Sequence, residues 1–457
     1  MPRGVMEVAR NTLLAQRAAM QIVGHNIANV NTEGYVRQAV VMEPIPGAVR
    51  GAYAATIGCG ARIGAVKRLG NTFVTAQIHR YEASLGREKA MENMLSQVEA
   101  IFSEFGESGL TDNLNEMFSA FEQIGMEPTN LAARQETVMR AGIVADIVRG
   151  RQEDLSSLRA EINLRLEDTV EEANALAQRI ADLNVKMGEA STDAIRNDLQ
   201  NMRDVAMSEL AELTGAYFIE RSDMQIDVLI GGRRIVQANE VTQLRLELDP
   251  DNPGMQRVCL GDVAEPNGLG GALMGLIEVR DGQMVEYSER LDTFAETLAE
   301  AVNALHRSGY DLNGDAGEDF FVYVAGAGGS TLEVNAQIAA DPALIAAAKS
   351  TDAVGDGANA SEIAQLRNTK VFAGTQNPTE YYADLIGQIG SDTRSSADMV
   401  LVRTSVVESL QANYEATSGV SLDEEAADLI RYQQVYNAAA QLMQTSVAMM
   451  DALFAIG

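Results

Sequence analysis

The chain has 457 residues, a formal net charge of -30, 46% hydrophobic residues, 5% aromatics and no tryptophan. Its length exceeds the roughly 100 to 200 residues usual for one domain, so two to four domains are expected. An aliphatic, aromatic-poor composition suits long helices packed through Ala, Leu, Ile and Met. The negative charge excludes a nucleic-acid partner and disfavours an anionic membrane surface; its simplest use is to keep the chain soluble.

In chain order, Met6, Ala9, Leu13, Met20, Val23 and Ile27 fall on alternating steps of three and four, with Gln16 as the polar interruption. That spacing predicts a helix with a heptad seam. The stretch that follows, "GHNIANVNTEGYVRQ", carries Asn26, Asn29, Asn31 and Gly34, residue types that accept left-handed backbone or bond to their own main chain. They are expected to end the helix and turn the chain, with Tyr35 as an anchor whose ring packs while its hydroxyl finds a polar partner. Residues 35 to 72 lack helical periodicity and predict extended, loop-rich backbone.

A helix is expected from Thr75 to about Phe105. Leu110, Leu114, Met117, Phe118, Phe121 and Ile124 form another apolar face, closed by "GMEPTN", and Pro128 and Thr129 are expected to open the next helix. From Leu155 to Met187 apolar residues recur every three or four positions, predicting one helix of about 50 Å. At 224 to 238 the rhythm becomes alternating around Gly231-Gly232, which predicts a β-hairpin inside a β-rich lobe at 215 to 280. Helical pattern resumes near Gly275, and residues 322 to 361 suggest loops and short elements.

At the C-terminal end, Ser421 and Glu424 have capping-box spacing. Leu422, Leu429, Tyr436, Met443 and Met450 then repeat every seven residues, flanked by Tyr432, Ala439, Val447, Leu453 and Phe454. Residues 1 to 50 carry net +2 and residues 421 to 457 net -4. Two heptad helices of opposite charge at the two ends are expected to pair with each other or with neighbouring copies.

No catalytic, cofactor or metal site is expected. Cys59 and Cys259 lack metal-ligand or disulfide-framework spacing. Asp311, Asn313 and Asp315 begin a calcium-loop pattern that Ala316 and Val322 then break, leaving a polar turn. "GLGGAL" has Leu273 where a dinucleotide loop needs its third glycine, so it predicts a turn into a helix. His25, His79 and His306 sit in unrelated contexts, and Glu424 with Glu425 fits solvation or the dipole of a first helical turn. There is neither a cleavable-signal pattern nor a stretch of transmembrane length, so composition alone points to the cytoplasm.

"NIANVNTEGYVRQ" and "SGVSLDEEAADLIRYQQVYNAAAQLMQTSVAMMDALF" together resemble the terminal motifs of the bacterial flagellar rod, hook and hook-associated proteins. "NVNTEGYVRQ" resembles the hook-associated branch, as do "LTDNLNEMFSAFEQIGMEPTNLAARQETVMRAG", "VEEANALAQRIADLNVKM", "LGGALMGLIEVRD" and "AVNALHRSGYDLNGDAGEDFF", in the family's order. The resemblance covers most of 6 to 321 and 418 to 456; residues 322 to 417 carry no matching motif.

What the resemblance implies is a non-enzymatic structural subunit, exported by the flagellar type III apparatus without a cleaved signal, which replaces the cytoplasmic expectation with an extracellular one. The subunit would form a junction ring of its own copies between hook and filament. Its partners would be the hook protein, a second junction protein (hook-associated protein 3) and through it the filament, and an export chaperone on the C-terminal segment. The expected subunit interface is Leu13, Met20, Val23, Ile27, Leu422, Leu429, Tyr436, Met443, Met450 and Leu453. The expected fold is mainly α with an inserted β-rich lobe: paired terminal assembly helices (1–62 with 405–457), a long-helix bundle (63–214 with 281–404) and the lobe (215–280). Two alternatives stand. A hook or rod subunit would carry β-sheet at 110 to 187, and a calcium-binding secreted protein would need a ligand in the Asp311 loop.

Overall fold

The structure, a computed structural model, describes residues 2–46, 58–104, 109–264 and 268–456. The first helix, α1 (Pro2–Ala28), ends where the asparagine-rich stretch predicts, and the chain then enters an antiparallel hairpin of β1 (Gln38–Pro44) and β2 (Ala61–Arg68). This hairpin is the form taken by the extended region expected at 35 to 72; its tip, 47–57, lies outside the described residues.

Four helices follow. α2 (Thr72–Phe102) starts at an Asn71 cap, whose side chain accepts from the amides of Phe73 and Val74. α3 (Leu110–Met126) buries the apolar face predicted for it. α4 (Leu131–Glu189) is one unbroken helix of 59 residues, about 88 Å long, so the helix expected from 155 is the second half of a longer one. Its cap is Asn130, accepting from Ala132 and Ala133, rather than the Pro128-Thr129 pair. Pro128 instead gives its carbonyl to the buried Arg134. α5 (Asp193–Thr214) returns along α4 and stops at Gly215.

The β-rich lobe holds two sheets. One has the order β3 (Tyr217–Glu220), β4 (Ile226–Ile230), β5 (Arg233–Gln237), β6 (Glu240–Val241). The other is β7 (Leu244–Leu248), β8 (Gln256–Leu260), β9 (Val263–Ala264). Gly231 and Gly232 form the predicted two-residue turn with φ of 56° and 76°, the positive pair that a type I′ turn requires. The strands end at Ala264, and helix α6 (Gly271–Glu278) already occupies the last part of the expected lobe. After one wide π turn (Val279–Gln283), α7 (Met284–Ser308) returns to the body.

Residues 309 to 377 contain short pieces: β10 (Phe321–Val322), α8 (Gly328–Thr331), β11 (Glu333–Val334), α9 (Ala336–Ala340) and α10 (Ala358–Gln365). α11 (Pro378–Ser418), launched by an Asn377–Glu380 capping box, packs along α2, and α12 (Leu422–Ile456) ends the fold. α11 runs unbroken across residues 404–405 and β2 spans 62–63, so the two boundaries expected between the terminal helices and the bundle fall inside elements. The region 110 to 187 is helical, and the condition set for a hook or rod subunit is not met. The main hydrophobic core joins α2 through α7, the lobe, α10 and the first half of α11; among the described residues it contains none from α1 or α12.

Asparagines on one side of α4 fasten the lobe. Asn174 donates to Leu244 O and accepts from Leu244 N; Asn184 does the same with Ile226 and also reaches Ala238 O. Asn163 holds Gly254 O and Gln256 N. Steps of 11 and 10 residues are about three helical turns, so all three share a face. Each amide behaves as one more strand residue toward its partner. Replacing Asn184 by Leu keeps the branched shape but orphans both backbone groups of Ile226, the Ala238 carbonyl and one Arg203 bond. The expected loss is about 3 kcal/mol, read as a lowered denaturant midpoint.

Candidate functional site: the polar knot where the chain ends meet

α12 runs back along α1 and packs chiefly on it. The buried residues of the seam are small: Ala9 and Val23 on α1, and Ala439 and Ser446 on α12; Ala15 and Ala19 are also buried, one and two turns beyond Asn11 and Thr12 on the side where Cys59 and Gly60 of the hairpin approach α1. Small side chains let two helices approach closely, which pushes larger ones to the margins. Met6, Leu13, Met20 and Ile27 are therefore half-buried rather than central, as are Leu429, Tyr436, Met443 and Met450. Leu422 is 52% exposed, and the side chain of Leu453 lies outside the described ones. A second apolar stripe of α12 looks outward through Val435, Leu442 and Met449, which follow one another seven residues apart, off the buried line of Glu425, Ala439 and Ser446.

At the α1 exit the pair is tied to the body. Asn26 is 1% exposed, and all four hydrogen-bonding positions of its amide are filled. Nδ2 donates to Gln38 O (2.9 Å) and Glu425 Oε2 (3.1 Å), while Oδ1 accepts from the Tyr35 hydroxyl (2.8 Å) and Gln38 N (3.1 Å). The single Tyr35 proton goes to Asn26, so at 3.0 Å it is His25 Nδ1 that donates to the Tyr35 oxygen. His25 Nε2 faces Asp198 of α5 at 3.7 Å. Burial, followed by the charges of Asp198 and Glu425, pushes the Tyr35 hydroxyl well above its ordinary pKa and keeps it a neutral donor.

Arg37 is the hub. Its Nε and Nη1 donate to Glu425 Oε1 (2.6 Å) and Glu424 Oε2 (2.5 Å), and Nη2 lies 3.8 Å from Asp428. Burial alone would lower its pKa, but the bonds to Glu425 and Glu424 raise it. Its backbone N–H donates to Ser418 O at the end of α11, and its carbonyl accepts from Leu69 N just before α2. Gln38 continues the network into α5 through Asp198 (2.9 Å) and Asn197 (3.3 Å).

The other turn residues divide by role. Asn29 donates to His25 O and accepts from the Thr32 hydroxyl, while Asn31 is exposed. Gly34 has φ +70°, and a Cβ there would stand 2.4 Å from Val205 Cγ2 of α5, so both backbone and packing demand glycine. Sequence reasoning placed Asn26 and Tyr35 at this exit but missed Arg37, Gln38, Asn197, Asp198 and Glu425. Glu425, taken as a solvated first-turn acid, is 1% exposed and paired, and Glu424 bonds to Arg37 instead of capping through Ser421. The opposite net charges of the two chain ends were the one signal pointing to this contact.

The other chemical candidates are structural. The Asp311 carboxylate accepts from the amides of Asn313 and Asp315 within a turn. His306 is bonded on both ring nitrogens, to Glu318 O and Ala346 N, and His79 packs edge-on against Phe218. Cys59 and Cys259 are free thiols.

Comparison with known proteins agrees with this architecture. Both ends carry the signatures of flagellar axial proteins: residues 6–35 match the family "Flagella basal body rod protein" and 411–456 match "Flagellar basal body rod FlgEFG protein C-terminal". Between them, residues 95–321 match "Flagellar hook-associated protein FlgK helical domain". The chain belongs to the flagellar hook-associated protein 1 (FlgK) family. It is 27% identical to flagellar hook-associated protein 1 of Bacillus subtilis, covering 98% of this chain and 96% of that protein. With the Escherichia coli protein of the same name it is 24% identical over 98% of each. In fold it is similar to the flagellar hook junction protein FlgK of Burkholderia pseudomallei, with a TM-score of 0.67 and 16% identity over 76% of this chain and 100% of that one. The family is one of structural flagellar proteins.

Proposed function

We propose that this protein is the subunit of the junction between flagellar hook and filament, and that its paired terminal helices are the parts that assemble. The carrying observation is the helix pair α1/α12, which lies outside the main core yet keeps a second apolar face exposed. In a ring of copies that outer face becomes buried, and the gain repeats in every subunit. On this reading the hook protein binds one side of the ring, and the second junction protein, hook-associated protein 3, binds the other and carries the filament. The helical middle and the β-rich lobe form the body outside the assembling ends. The protein reaches the cell exterior through the flagellar type III apparatus without a cleaved signal, with a chaperone guarding the exposed stripe of α12 in the cytoplasm. Among the described residues, no helix is long and apolar enough to cross a membrane.

The test is electron microscopy of cells lacking this protein. Bare hooks, with filament protein shed into the medium, are the expected result. Full-length filaments on such hooks would refute the reading.

A further inference from the structure

The α1/α12 seam is poor at fixing its own alignment. Its centre is small side chains, and α12 repeats every seven residues, with Leu429, Tyr436, Met443 and Met450 following one another along the same line. Along that line, sliding α12 by one heptad exchanges apolar residues for apolar residues. Along the parallel line of Glu425, Tyr432, Ala439 and Ser446, however, position 425 alone carries a carboxylate. A one-heptad slide would bring Tyr432 against Asn26 and Arg37, leaving the buried amide short of an acceptor and the guanidinium short of its main partner. A buried polar group that is satisfied in one alignment and orphaned in the others is a strong determinant of register.

We infer that Asn26, Arg37 and Glu425 form a register lock: they set how far α12 lies along α1 and the direction of the pair relative to the packed helices α2 and α11. The second function rests on Arg37, whose side chain grips the first turn of α12 while its main chain bridges the end of α11 and the approach to α2. This inference builds on the assembly role proposed above and assigns these three as positioning residues for it. Every subunit of a ring must present its outer apolar face at the same height, and a slipped subunit presents it one heptad, about 10 Å, out of place.

The test uses the full chain with Cys59→Ser and spin labels on cysteines placed at Gln21 and Gln444, which are exposed positions on α1 and α12 outside the knot; Cys259 is buried. The unaltered knot should give one narrow inter-label distance. Arg37→Ala and Glu425→Gln should each add a second discrete distance, displaced by about one heptad, and should reduce filament retention on hooks at least tenfold. An unchanged single distance would overturn the lock, because the apolar seam would then set register unaided. A broad, featureless distribution would also overturn it, because the knot would then merely stabilise the pair. Met449→Asp, on the outer stripe, separates the two proposals: if it retains filaments normally, the assembly reading itself fails, whatever the labels report.

Discussion

Replacing Met449 by aspartate is expected to leave the melting transition of the free chain unchanged and to abolish stable filament attachment. Met449 is 57% exposed on the outer stripe of α12, so in the free subunit the added carboxylate stays in water and costs within about 0.5 kcal/mol. In the assembled ring the same carboxylate would be taken out of water without a partner, at several kcal/mol per subunit. Leu429→Asp and Met443→Asp act one step earlier. Both positions are half-buried against α1, so these changes should loosen the helix pair, seen as faster amide exchange along α12. They should still spare the melting of the body, since the main core contains no described residue of either terminal helix. Gln433→Asp, at an exposed polar position of α12, is the control for charge alone and should attach filaments normally. If Leu429→Asp melted the whole chain, α12 would be an internal core element and its assembly role would be wrong.

Acid should destabilise the body through two buried histidines. Burial lowers the pKa of His79 and of His306 to about 4 from the ordinary 6.5. The unfolded chain therefore binds protons that the folded chain refuses. Their contribution is fully present above about pH 6.5 and is lost as pH falls toward 4, at about 3 kcal/mol for each histidine. Glu82 and Asp292 oppose this in part. Burial raises their pKa values, so the folded state takes up protons more readily there and gains stability toward acid. Denaturant titrations between pH 7.5 and 4.5 should show a steep net loss. His79→Leu, which keeps an apolar partner for Phe218, should remove about half of the histidine part of the slope. An unchanged slope in that variant would show that His79 is not the group responsible.

The sequence by itself determined the local structure and the family. Helical periodicity, the Gly231-Gly232 hairpin and the heptads at both ends depend on residues a few positions apart, and so does the exit at Asn26 to Gly34. The hairpin, the exit and the helices read from those patterns are present, although α4 begins at Leu131, well before the periodic run from 155, and α5 and α11 were not read from any pattern. Tertiary structure alone decided which residues form the centre of the α1/α12 seam. A heptad pattern ranks positions by hydrophobicity, whereas close helix approach selects by size, so within the expected seam Ala9 and Val23 are buried while Leu13, Met20 and Ile27 are only half-buried. The lobe's attachment through Asn163, Asn174 and Asn184 was equally hidden, because one asparagine looks the same whether it caps a turn, faces water or pairs with a strand 70 residues away. The charge of Glu425 was legible, but its burial was not. A carboxylate leaves water where a guanidinium and an amide are brought to meet it, and Arg37 and Asn26 lie almost 400 residues earlier in the chain.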